Sequence, residues 1–121
     1  MDFSKILSEG GMNMAVIEIV SWQAKPGVSD EEMRSALADM LPDLQALPGF
    51  QWQLAGKDAQ GRWVDVYCWD DARDAHASNE LMADKPSLAA LLALLEADSV
   101  TMDVIEPLQA SLNAAIMKAK T

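Results

Sequence analysis

One cysteine and one histidine in 121 residues set the first limits on what this chain can do. Cys68 alone cannot build an internal disulfide framework. Neither residue type is numerous enough for a cysteine- or histidine-rich metal centre. Lysines and arginines number 9 against 19 aspartates and glutamates, a formal charge of −10. A chain this poor in positive charge lacks the clustered basic surface that a phosphate backbone or anionic lipid requires. No apolar run approaches the roughly 20 residues of a membrane span, and residues 1–14 hold no signal-peptide core. Zinc motifs of the HExxH type, GxGxxG fingerprints and Walker loops are also missing. The expectation is a cytoplasmic protein that engages neither nucleic acid nor membrane and carries no metal and no cofactor.

What remains is half hydrophobic and 23% charged, the composition of one soluble globular domain with a real core. Residues 1–13 read as a flexible N-terminal arm, set off by Gly10-Gly11. Residues 14–106 read as the folded domain, and 107–121 as a C-terminal helix opened by Pro107.

Within the domain, residues 14–23 are β-branched and almost continuously apolar, which predicts a strand covered on both faces. Lys25-Pro26-Gly27 ends it, and Ser29 with Glu32 forms a capping box for a helix. Met33, Leu37, Met40, Leu41, Leu44 and Leu47 make one helical stripe, with a kink expected at Pro42 and a stop at Pro48-Gly49. Residues 50–55 and 62–69 alternate as two strands of a hairpin turned at 58–61. Asp70 or Asp71 caps a helix whose inner side holds Ala72, Ala75, His76, Asn79, Met82 and Ala83. Pro86 opens another helix with Leu88, Leu91, Leu92 and Leu95 on its stripe, and 99–105 reads as the last strand.

The order β-α-β-β-α-α-β predicts an α+β fold, a ferredoxin-like split βαβ sandwich with a four-stranded antiparallel sheet. Its helices cover one sheet face, yet strands 1 and 3 are apolar on both. A homodimer through sheet faces is therefore expected, each copy covering the other.

This pattern resembles the dimeric α/β-barrel superfamily, and within it the antibiotic-biosynthesis-monooxygenase-like (ABM) group. The resemblance rests on VIEIVSWQAKPGVSDEE at 16–32, LPGF at 47–50, GRWVDVYCWDDARDA at 61–75 and SVTMDVIEP at 99–107. It implies two sheets closing into a barrel across a dimer, and an activity among cofactor-free monooxygenases, isomerases or haem-degrading enzymes. Haem-degrading relatives use an Asn–Trp–His set. Here Trp69 and His76 are present but strand 1 has no asparagine, Asn13 falling just before it, which points away from haem.

Chemistry in such a domain would rest on few residues. His76 is expected to face the sheet among small alanines, as an acid/base or as an ordinary helix-edge histidine. Strand alternation groups Glu18 with Val16, Val20 and Trp22, and Asp65 with Trp63, Tyr67 and Trp69. Each buried carboxylate is either a base of raised pKa or a structural hydrogen-bond acceptor. Trp22, Trp52, Tyr67, Trp69 and Asn79 are the candidate walls for a planar ligand, and core packing is the other use of the indoles. Cys68, in mid-strand with nothing basic near it, reads as an inert core thiol. Two functions stay open. One is a small dimeric cofactor-independent monooxygenase or isomerase acting on a phenolic or quinone-like small aromatic ligand, with His76, Asp65 and Glu18 as catalytic groups. The other is a non-catalytic ligand-binding or interaction module of the same fold.

Overall fold

The structure is a computed structural model in which residues 15–111 are described. Strand β1 (Val16–Trp22) is followed by α1 (Asp30–Gln45), β2 (Phe50–Lys57), β3 (Trp63–Trp69), α2 (Ala72–Met82), α3 (Pro86–Leu92) and β4 (Thr101–Ile105). The sheet order is β2-β3-β1-β4 with every pairing antiparallel, the α+β ferredoxin-like arrangement expected from the element order. The predicted last strand is shorter than expected, because Ala97–Ser99 form a 3-10 turn instead. Ser99 explains this: its hydroxyl donates to the Glu96 carbonyl at 2.6 Å and accepts from the distant Gln23 backbone at 2.8 Å. The N-terminal arm lies outside the described residues. Residues 107–111 carry no helix, and the rest of the expected C-terminal helix lies outside them too. No helix among the described residues is long and apolar enough to cross a membrane.

Local chemistry sets the boundaries. The Ser29 hydroxyl accepts from the Glu32 backbone and the Glu32 carboxylate accepts from the Ser29 backbone, both at 3.0 Å, so the capping box starts α1. The helix stays helical through Pro42, which falls in its last turns, and buries Met33, Ala36, Leu37, Met40 and Leu44. The hairpin turn is held by the Asp58 carboxylate, which accepts from the backbones of Gln60 and Arg62 at 2.9 Å. The Asp71 side chain caps α2 by accepting from the Asp74 backbone at 3.0 Å.

The register puts Val16, Glu18, Val20 and Trp22 on the same face as Trp69, Tyr67, Asp65 and Trp63. This face packs under α1, α2 and α3 and holds the core. The other face carries Ile17, Ile19, Val64 and Val66, all half-buried, with Leu54 56% and Ile105 44% exposed. Among the described residues, helices thus cover one side of the sheet and leave an apolar side open.

Gly49 joins α1 to β2 under two constraints. Its φ of +79° lies in the left-handed region, and a Cβ there would overlap the Asp74 carboxylate. Gly27 has a φ of +87° but open space around it. In urea unfolding, Gly27→Ala is expected to cost about 1 kcal/mol from backbone strain alone. Gly49→Ala should cost at least twice that, with part recovered when Asp74 is also changed to alanine. Equal losses at the two glycines would show that the Asp74 contact is relaxed away.

A candidate functional site between the sheet and the helices

An apolar cavity of about 210 Å³ lies between the covered sheet face and the helices. Its floor is Glu18, Val20 and Trp22 of β1 with Tyr67 and Trp69 of β3. Its walls are Met40 and Leu44 of α1, Ser78, Asn79 and Met82 of α2, and the leucines 88, 91, 92 and 95, closed by Val100 and Met102. Among the described residues, no lysine or arginine lines it. An apolar cavity of ~150 Å³ takes up benzene, and drug-sized sites begin near ~300 Å³. The space therefore suits one or two fused rings.

Glu18 is the carboxyl among the described residues that line this cavity. Its residue is 3% exposed, and its carboxylate accepts from the Trp69 indole at 2.9 Å. Burial raises its pKa above 4.5; the Trp69 bond offsets part of that, the Asp65 charge adds to it, and the His76 charge opposes it. Such a carboxyl is poised to exchange a proton with a bound ligand at a pH where an ordinary glutamate is already ionised.

Asp65 plays a different part. It is wholly buried, faces Val20 across the β1–β3 ladder and does not line the cavity. Its carboxyl accepts from the Gln53 amide at 2.5 Å and from the Tyr67 hydroxyl. Burial outweighs both bonds and lifts its pKa from 3.8 to about 6. Tyr67, which does line the cavity, is pushed well above 10 by burial and then by the Asp65 charge beside it. Tyr67 and Trp69 stack with ring centroids 6.2 Å apart, and Phe50 meets Trp69 edge-on at 5.6 Å.

His76 is not where its helical stripe predicted. The buried line of α2 is Ala75, Ser78 and Met82, and His76, one residue or ~100° round from Ala75, is exposed. It lines an open cleft between α2 and β4 together with Glu18, Ala72, Asn79, Met102 and Glu106. Glu18, Asn79 and Met102 border both spaces, so the carboxyl sits where the apolar cavity meets the cleft. Trp52 is also displaced from the expected set. It pairs with Cys68 across the β2–β3 ladder, after an irregularity between Phe50 and Trp52, and does not line the cavity. Burial lifts the Cys68 thiol to about 11, which suits the inert reading. Glu18, Trp22, Tyr67, Trp69 and Asn79 are thus brought together, while Asp65 stands behind Tyr67, His76 stands outside and Trp52 lies elsewhere. Ser78 was not anticipated, although the Ala75–Ser78–Met82 spacing signals an inward face. Among the described residues no group of three or more His, Cys, Asp or Glu could hold a metal ion.

Solved structures share this architecture. SnoaB from Streptomyces nogalater, a cofactor-independent oxygenase, superposes with a TM-score of 0.65 at 16% identity, over 83% of this chain and 99% of that one. NE2512 from Nitrosomonas europaea, a protein of unknown function, gives 0.64 at 24% identity over 84% and 96% of the two chains. A Bordetella bronchiseptica protein provisionally called an antibiotic biosynthesis monooxygenase gives 0.68 at 14% identity over 79% and 99%. No family model and no curated protein matches the chain. The fold is that of the antibiotic biosynthesis monooxygenase group, as the sequence resemblance implies, and at these identities the likeness concerns the fold.

The Asp65 carboxyl makes stability depend on pH in a defined sense. The native state holds this proton to about pH 6, whereas the unfolded chain releases it near 3.8. In between, the native state binds more protons, so this group's contribution to stability falls as pH rises from 4 to above 6. Asp65→Asn keeps an acceptor for Tyr67 and abolishes the titration. The variant is expected to match the parent near pH 4 and to exceed it by up to about 3 kcal/mol at pH 8. Urea midpoints across that range test this, and parallel pH profiles for both proteins would contradict it.

Proposed function

We infer that the cavity binds a small, flat phenolic or quinone-like molecule, and that the protein is a cofactor-independent monooxygenase or isomerase with Glu18 as its base. The observation that carries this reading is a desolvated carboxyl, held by the Trp69 indole, at the mouth of an apolar cavity of about 210 Å³ walled by Trp22, Tyr67 and Trp69. Burial makes Glu18 a stronger base than a solvated glutamate, and the aromatic walls favour a ring over an aliphatic chain. His76, exposed in the adjoining cleft, exchanges the Glu18 proton with solvent. Asp65 orients the Tyr67 hydroxyl from behind.

The oxygenase form of this reaction is balanced with O₂ as the oxidant. Glu18 takes a proton from an activated CH₂ or phenolic O–H, and the electron-rich anion passes an electron to O₂. The resulting pair joins in a C–O bond, and the peroxide anion takes the proton back from Glu18 to give a hydroperoxide. Loss of water leaves a ring carbonyl, so that CH₂ and O₂ become C=O and H₂O. An isomerase would use the same proton transfer without oxygen.

Glu18→Gln keeps the size of the side chain and an acceptor for Trp69. It is expected to retain binding of bicyclic phenols, read as quenching of the cavity tryptophans, and to lose about a hundredfold or more of oxygen uptake. In the parent, uptake should rise with pH along an acid limb displaced above 4.5. Binding with turnover untouched by Glu18→Gln would remove Glu18 from the chemistry. Binding with no turnover of any phenol by the parent would favour the binding module.

The open apolar sheet face supports a homodimer, with a second copy laid over Ile17, Ile19, Val64, Val66 and Leu54. Light scattering is expected to give twice the 13.2 kDa chain mass, and Val66→Lys to give the single-chain mass with its circular dichroism unchanged. A monomeric parent protein would rule the dimer out.

A further inference from the structure

The polar groups around the cavity are satisfied at one end and not at the other. The Trp69 indole donates to Glu18, the Tyr67 hydroxyl to Asp65, and the Ser78 hydroxyl to the Ala75 carbonyl. Trp22 also lines the cavity and is 2% exposed, but its indole N–H has no partner among the described residues. A buried donor without an acceptor is costly, and it becomes useful where a ligand supplies the acceptor. Trp22 and Glu18 lie four residues apart on one face of β1, with Val20 between them and their Cα atoms about 13 Å apart at ~3.3 Å per residue. All three line the same space. A ring system lying over Val20 therefore has a carboxyl at one end and, at the other, the Trp22 indole, whose buried N–H is unpaired among the described residues. With no lysine or arginine among the described lining residues, an anionic ligand would find no counter-charge there beside Glu18.

We propose that Trp22 is a specificity-determining residue of this cavity: its indole N–H donates to a carbonyl oxygen at the far end of an uncharged ligand whose hydroxyl lies at Glu18. The proposal rests on the reading of the Glu18 cavity as the ligand site. It narrows the ligand from any small phenol to a hydroxy-ketone of one or two fused rings. Discrimination then follows from the site's own chemistry, since a ligand lacking the carbonyl leaves a buried N–H unpaired, and sites built on hydrogen bonds reject such analogues most strongly.

Two ligands of one skeleton isolate the carbonyl: 6-hydroxy-1-tetralone, and 5,6,7,8-tetrahydro-2-naphthol, which lacks it. Calorimetric titration of the full chain and of Trp22→Phe yields the ratio of their affinities in each protein, so the ketone's own hydration cancels. The preference for the ketone is expected to fall about tenfold on Trp22→Phe, the loss of one buried hydrogen bond. Since Trp22 is a core residue, a second measurement needs no variant. In the unmutated protein, the Trp22 indole proton resonance should move downfield with the tetralone and hold its place with the tetrahydronaphthol. An unchanged ratio, or an indole proton that answers both ligands alike, overturns the role of Trp22 while leaving the cavity reading intact. Absence of binding by either ligand to the unmutated protein overturns the cavity reading and this proposal with it.

Discussion

A sheet face sealed beneath helices has to supply a partner for every charge it buries, and this one buries two carboxyls, Glu18 and Asp65. Glu18 takes its donor, the Trp69 indole, from the neighbouring strand, whereas Asp65 takes the Tyr67 hydroxyl from its own strand β3 and the Gln53 amide from β2. The β1–β3 ladder makes this possible by setting Glu18 opposite Tyr67, with Val16–Trp69 and Val20–Asp65 on either side. A slip of one residue in that register would turn all of these groups to the other face. Strand pairing, core integrity and the polar end of the cavity are therefore consequences of the same alignment.

Within that frame the two carboxyls divide their roles by what surrounds them. Asp65 has two neutral donors and no access to the cavity, so it acts on Tyr67 and on the pH dependence of folding. Glu18 has one donor and borders both the cavity and the outer cleft, so of the two carboxyls it is the one in reach of both spaces. Both have raised pKa values for the same first reason, loss of water around the charge.

Much of the fold was legible along the chain because its signals are local. The Ser29–Glu32 capping box, the period-two alternation of β3 and the Asp71 cap each act within a few residues, and each appears in the structure. Misjudged features depend on contacts distant in sequence. Ser99 reads as strand by its neighbours but is drawn into a turn by Gln23, 76 residues away. His76 shares a plausible stripe with Ala72 and Asn79, but the phase of α2 is set by how Ala75, Ser78 and Met82 pack below it. Trp52 is one tryptophan among four by composition, and only the irregularity at Phe50/Trp52 decides the face it joins.

Spacing and composition alone set the order of the elements and the faces of the strands, and they exclude a cysteine-rich metal centre. They also mark Glu18 and Asp65 as carboxylates in apolar surroundings, because alternation is a property of the extended backbone. Packing between elements sets which of the two reaches the cavity, that His76 lies outside it, and that the Trp22 indole has no partner among the described residues. Those outcomes depend on how helices seat on a sheet, a relation between segments tens of residues apart that no local pattern encodes.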